Sequence, residues 1–173
     1  MNYKLWKSEG PGTNDKNKLS KCGDNVIIED GVRIFNPENV EIGDNVYIGH
    51  DTILKGYYNS KLIIGSNTWI GQQCFIHGAG GITIGENVGI GPCVKIHAAR
   101  HKEIGIDTPI LFSELEFFRI KICDDCNIGI GAVILPGVEI GKGSKIGANA
   151  VVNKNIKEYS VAVGVPAKII KTR

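Results

Sequence analysis

The chain is poor in the residues that build helical cores and most ligand sites. Aromatics make up 7% of it and methionine occurs once, so the adaptable packing that these side chains give a helical bundle has little to draw on. No window holds the roughly 18 consecutive apolar residues of a membrane-spanning helix. The start, Met1-Asn2-Tyr3-Lys4-Leu5-Trp6-Lys7, also lacks an apolar run of signal-peptide length. These two absences lead us to expect a cytoplasmic protein with no membrane span. Charge of one sign is missing too: 20 Lys and Arg against 18 Asp and Glu leave a formal charge of +2. The basic residues alternate with Asp, Glu and Asn at turns, whereas phosphate backbones need them gathered on one face, so nucleic acid is not an expected partner.

Five cysteines are an odd number in a chain without an export signal, which argues against a disulfide framework. Cys123-x-x-Cys126 has no second pair and no histidine at zinc-finger spacing, so no metal is expected. Cys74 and Cys126 fall in phase with Val94 and Val138 and read as small core residues. There is no Ser-His-Asp order, Walker loop or dinucleotide fingerprint, and Gly89-Ile90-Gly91-Pro92 belongs to a wider repeat.

That repeat is what the chain has in abundance. With 23 glycines and many Ile and Val, it returns an aliphatic residue every six positions: Ile28 and Ile34; Ile42, Ile48 and Leu54; Ile64, Ile70 and Ile76; Ile84, Ile90 and Ile96. Short insertions near Pro37-Glu38, Tyr57-Tyr58-Asn59-Ser60 and Gly80-Gly81 separate the groups. The count resumes at Ile122 and runs through Ile128, Ile134, Ile140 and Ile146 to Val152, with Val163 and Ile169 closing after a further insertion. A helix would repeat near 3.6, and a meander would not hold one period for so long, so the pattern predicts short strands joined by similar turns, a β-solenoid. Glycine after the aliphatic residue, with Asn or Gly two or three positions on, suits turns that need positive φ. Residues 1–25 form an aperiodic, polar lead-in expected to cap the first coil, and 26–173 form the repeat domain. Between Ile96 and Ile122 the period is broken by an external loop, about 97–120, and His97 and His101 stand where it leaves. Functional residues concentrate on such loops.

Tandem units such as Ile42-Gly43-Asp44-Asn45-Val46 and Ile84-Gly85-Glu86-Asn87-Val88 resemble the hexapeptide-repeat acyltransferases. That likeness implies an all-β, left-handed parallel β-helix of about six coils, with a short C-terminal cap or helix. Three features are similar to the galactoside, maltose, xenobiotic and polysaccharide acetyltransferases within that family. They are the loop placing His101 five residues after Ile96 and carrying Thr108-Pro109-Ile110, the segment Ile128-Gly129-Ile130-Gly131-Ala132-Val133-Ile134-Leu135-Pro136-Gly137-Val138, and the ending Tyr159-Ser160-Val161-Ala162-Val163-Gly164-Val165-Pro166-Ala167-Lys168.

The resemblance implies an acetyl-CoA-dependent acetyltransferase acting on a saccharide or nucleotide-sugar acceptor, without a metal. It also implies a homotrimer with active sites between subunits. His101 matches the family's catalytic histidine, and imidazole suits a general base at neutral pH. Acetyl-CoA would lie along Gly129, Ile130 and Ala148, with Asn153, Lys154 and Lys168 toward its phosphates. One coil apart in the count, His77 and His97 should stack roughly 4.8 Å from each other and could form an acceptor wall, with Lys55 and Leu135 extending the column. His50 lies in another column and reads as a surface turn residue. Asn127 stands where many relatives carry Trp, near the reacting centre. The expected reaction is O-acetylation of a sugar hydroxyl, in surface-polysaccharide assembly. The alternatives are N-acetylation of an amino-sugar nucleotide or a drug, and a non-catalytic scaffold. For His101, Glu103, Asp107 or a backbone carbonyl is expected to orient the second ring nitrogen against the nearby Arg100.

Overall fold

The computed structural model describes residues 10–173. Each six-residue unit becomes a strand of two or three residues followed by a turn, and three units close one triangular coil. Face one stacks Lys21–Cys22, Val40–Ile42, Leu62–Ile64, Ile82–Ile84, Ile120–Ile122 and Glu139–Ile140. Face two stacks Ile27–Ile28, Tyr47–Ile48, Trp69–Ile70, Gly89–Ile90, Asn127–Ile128, Lys145–Ile146 and Ser160–Val163. Face three stacks Arg33–Phe35, Ile53–Lys55, Phe75–His77, Lys95–His97, Val133–Ile134 and Val151–Val152. Pairing along each of these stacks is parallel, and Ile84 pairs with Ile122 in the same register as Ile64 with Ile84. The external loop is thus spliced in without shifting the ladder. Six coils are complete, as expected, and a seventh is begun by Ile156, bridged to Ile140, and by Ser160–Val163.

Inward positions form columns of Ile, Val and Leu closed to solvent. Burying one such side chain is worth about 1.5–3 kcal/mol, and stacking like on like lets each coil cover the apolar face of the next. Cys74 and Cys126 occupy small inward positions as expected, with their Sγ atoms 3.2 Å from the carbonyls of Gly91 and Gly141. Burial pushes both thiols up to about 11. Thr52 and Thr68, also buried, donate their hydroxyls to the carbonyls of Gly71 and Gly85.

Positive φ falls three positions after the aliphatic residue, as expected, on glycines such as Gly131 and Gly143 as well as on Asn. Positive φ is carried by Asn25, Asn45, Asn67, Asn87 and Asp125 at equivalent corners, because Asn and Asp tolerate the left-handed region. The glycine after the aliphatic residue is needed for close approach instead. A β-carbon on Gly65 would lie 2.5 Å from the backbone of Gly85.

At the N-terminal end the first rung is Lys21–Cys22, paired with Glu41–Ile42. The first coil therefore opens before Val26, with Cys22 in the place of an aliphatic residue. Thr13 makes an antiparallel bridge to Ile34, and Leu19 packs on the core. Residues 1–9 of the lead-in lie outside the described residues. At the other end the closing element is a strand rather than a helix. Lys168–Thr172 turns back antiparallel on Ser160–Val163 and ends the parallel ladder. Among the described residues no helix is long and apolar enough to cross a membrane.

Candidate active site

The loop leaves face three after Lys95–His97 and folds into an arm. Ala99–His101 pairs antiparallel with Leu115–Phe117, matching Arg100 to Glu116 and His101 to Leu115. Strand alternation sends neighbouring side chains to opposite sides. Arg100 meets Glu116 at 3.2 Å and lies over the Phe118 ring at 4.6 Å, so its charge is answered on the side away from His101.

His101 is half-buried, and its Nδ1 lies 3.2 Å from the carbonyl oxygen of Ser113. A carbonyl can only accept, so Nδ1 carries the proton and Nε2 is left as a proton acceptor. The orienting group is thus the backbone carbonyl, not Glu103 or Asp107. Ser113 is buried and closes the single turn Ile110–Phe112. Its N–H and hydroxyl both donate to the Ile110 carbonyl, at 3.0 and 2.8 Å, and its Oγ is 3.5 Å from Nδ1. Nothing in the hexapeptide count points to Ser113, because its role depends on the turn.

Below the arm, the rings of His77 and His97 stack with centroids 4.7 Å apart and an interplanar angle of 22°. Their column continues down to Lys55, which is buried with its Nζ 5.5 Å from the Phe35 ring centroid. The insertion at Tyr57-Tyr58-Asn59-Ser60 has a structural use, since Tyr57 lies 5.8 Å from His77 and 5.5 Å from Phe117 of the arm. Tyr57 and Phe117 join the histidine corner, although neither stood out in the sequence. His50 is an exposed turn residue 3.7 Å from Glu29.

The other expected residues divide between two corners. Gly129, Ile130 and Ala148 lie on the turns from face two to face three, where a β-carbon on Gly129 would come 2.6 Å from the Ala148 nitrogen. Bare backbone lines that edge, flanked by exposed Ile130 and Ala148. Lys168 belongs with it, because the Ala167 N–H bonds to the Val151 carbonyl at 2.8 Å. Asn153 and Lys154 instead follow the last strand of face three, placing Asn153 two rungs above His97 in the histidine column. Six residues at about 3.3 Å each make a triangle side of at most about 20 Å. Within one chain, then, the His101 corner and the Gly129–Ala148 edge are held apart.

Asn127 points outward from face two, between Gly89 below and Lys145 above. Two and three rungs under it, Trp69 and Tyr47 stack with centroids 5.8 Å apart and an interplanar angle of 4°. This pair was available from the sequence, because Tyr47 and Trp69 precede the register partners Ile48 and Ile70. Among the described residues no group of three or more His, Cys, Asp or Glu is arranged to hold a metal ion.

Family models match in two places: a bacterial transferase hexapeptide of six repeats at residues 119–154, and a hexapeptide repeat of succinyl-transferase at 61–91. The chain is 30% identical over 160 residues to dTDP-4-amino-4,6-dideoxy-D-glucose acyltransferase of Escherichia coli, covering 90% of this chain and 83% of that one. It is 33% identical over 135 residues to galactoside O-acetyltransferase of Escherichia coli K12, covering 75% and 62%. A solved structure of AntD, an N-acyltransferase from Bacillus cereus in complex with dTDP and 3-hydroxybutyryl-CoA, superposes with a TM-score of 0.81 at 28% identity, covering 91% and 85%. The chain spans 50 to 66% of the length of several other curated relatives that it matches. With its coils, its external arm and these relatives, the chain belongs to the hexapeptide-repeat acyltransferases, whose left-handed parallel β-helix is its fold.

Proposed function

We propose that the protein transfers an acetyl group from acetyl-CoA to a sugar hydroxyl, with His101 as the general base. The observation that carries this reading is the His101 hydrogen bond to the Ser113 carbonyl, which holds Nε2 as the proton acceptor. An acceptor hydroxyl hydrogen-bonded to Nε2 gives up its proton as its oxygen attacks the thioester carbonyl. The tetrahedral intermediate then collapses with loss of the CoA thiolate, and no acyl-enzyme forms. His77 and His97 wall the acceptor, and Asn127 contacts it. The pantetheine arm runs along Gly129, Ile130 and Ala148, where the chain offers backbone groups without side-chain obstruction. Asn153, Lys154 and Lys168 face the CoA phosphates as polar and cationic contacts. No metal takes part. The lead-in before Lys21 caps the acetyltransferase domain, and the protein works in the cytoplasm in surface-polysaccharide assembly.

The separation of the two corners supports a homotrimer in which the histidine corner of one subunit faces the backbone edge of the next. The arm supports it as well: Ile106 is 99% exposed, and Ile110, Leu111 and Phe112 beside it are also open. Apolar surface of that kind marks an interaction face. A second reading, N-acetylation of a nucleotide-linked amino sugar, is favoured by the likeness to the dTDP-amino-sugar acyltransferase and to AntD. One experiment tests both. Release of CoA thiol from acetyl-CoA is followed with hydroxyl sugars, amino sugars and their nucleotide-linked forms. Turnover with hydroxyl sugars supports the first reading, turnover confined to amino sugars the second, and no turnover with any of them refutes both.

A further inference from the structure

We propose that the outward side of face two carries a slot for the pyranose ring of an anionic sugar, walled by Trp69 and Asn127 with Gly89 as its floor. The inference deepens the acceptor reading above and rests on it only for the step that follows binding. Successive rungs of this face present Tyr47, Trp69, Gly89, Asn127 and Lys145 in strict parallel register. Tyr47 covers one face of the Trp69 indole in a near-parallel stack. The opposite face looks along the solenoid axis toward Gly89, which has no side chain to cover it, and Trp69 remains 42% exposed. A β-carbon at Gly89 would find only the Asn127 amide within 4 Å, its Nδ2 at 3.0 Å. The indole therefore stays clear of the floor, and the amide leans over it.

Two rungs at about 4.8 Å separate the Trp69 and Asn127 strands by about 9.6 Å, and the Asn127 amide, leaning to 3.0 Å from the Gly89 β-position, swings up to open that gap to a ligand. That gap suits a puckered ring, which presents axial C–H groups to the indole and hydroxyls to an amide that both donates and accepts. A flat base would fill less of it. Directly above, Lys145 and Arg173 line a recess of about 420 Å³ shared with Gly89 and Asn127. Asp125 also lines that recess, but it is paired with Lys142 at 3.4 Å. The two cations select a phosphate or similar anion attached to the ring. Asn127 is followed directly by Ile128 and Gly129, so a sugar held there lies beside the backbone edge assigned to the thioester.

The test uses the full chain with Trp6→Phe, which leaves Trp69 as the sole tryptophan, and titrates its fluorescence with hexose 1-phosphate, free hexose, inorganic phosphate and a nucleoside diphosphate. Hexose 1-phosphate should quench saturably, and at least about 10-fold more tightly than free hexose or phosphate. Gly89→Val should weaken that binding by more than about 10-fold at an unchanged melting temperature. Valine suits a strand, and only the free end of Asn127 has to move. Lys145→Ala should weaken hexose 1-phosphate without altering free hexose. Absence of quenching, insensitivity to Gly89→Val, or quenching by the nucleoside diphosphate as strong as by hexose 1-phosphate would each overturn the proposal. Turnover separates it from the function reading. If Trp69→Ala and Gly89→Val acetylate a sugar with the wild-type KM, the slot is wrong and the transferase reading stands. If quenching follows the pattern but no sugar is acetylated, the slot stands alone.

Discussion

Replacing His101 with alanine removes an imidazole whose tautomer is selected by the Ser113 carbonyl. The Ser113 carbonyl fixes the proton on Nδ1, so the whole contribution of the side chain lies in proton transfer at Nε2. General-base catalysis of this kind is worth about 10²–10⁴-fold, or about 3–5 kcal/mol at the barrier. The alanine variant should lose that factor in kcat. Its donor affinity should change little, because the contacts assigned to acetyl-CoA are the backbone edge and the polar and cationic side chains near it, while the imidazole acts on the acceptor proton in the transition state. The assay is thiol release at saturating acceptor, with CoA affinity measured separately by titration. Ser113→Ala provides the control. It removes only the hydroxyl 3.5 Å from Nδ1 and keeps the carbonyl, so its loss should stay below about 10-fold. Full turnover by His101→Ala with saturating acceptor would refute the assignment and move suspicion to His97.

His97→Ala, which breaks the stack with His77, should mainly raise the acceptor KM and leave kcat within a few fold, as read from acceptor saturation curves. Light scattering should find a trimer, and Ile106→Asp on the arm should dissociate it and abolish activity; a fully active monomer would sink the shared-site reading. The buried thiols predict an alkaline weakening. Cys74 and Cys126 lose a proton near 9 when unfolded and near 11 when folded, so the native state holds more protons between those values, and stability falls as pH rises through them. Urea midpoints at pH 8 and pH 11 should diverge less in a Cys74→Val, Cys126→Val double variant than in the wild type. Deleting residues 1–20 should lower solubility by exposing the edge of the first coil, measured as soluble protein after centrifugation.

The solenoid was legible because Ile48 and Ile70, or Ile84 and Ile122, occupy the same inward place whatever lies between them, and a period of six admits few other folds. The His77–His97 stack was legible for the same reason, since both follow register partners. Cys22 escaped the count because a thiol fills a rung where isoleucine was sought. Glycines such as Gly131 and Gly143 were legible as positive-φ turn residues, but the constraint on Gly65 or Gly129 is contact with the next coil, which no single turn discloses. Ser113 was invisible in principle: what orients His101 is a backbone carbonyl, a group every residue carries, and only the path of the arm selects this one. The division of the site residues between two corners was implicit in the phase of the repeat, since Gly129 and Ala148 follow face-two strands and His97 ends a face-three strand.

The arm's place along the stack has a consequence for how the molecule opens. A solenoid is held by contacts between neighbouring coils, so opening behaves as a one-dimensional, nearest-neighbour process. A terminal coil can fray by breaking one interface, while a coil in the middle must break two. The arm is rooted between the fourth and fifth coils, away from both fraying ends. Amide hydrogen exchange should therefore run as a gradient, fastest in Lys21–Phe35 and Lys168–Thr172 and slowest at Ile84–Ile96 and Ile120–Ile134. The imidazole that must be held most accurately is anchored in the part of the chain that melts last.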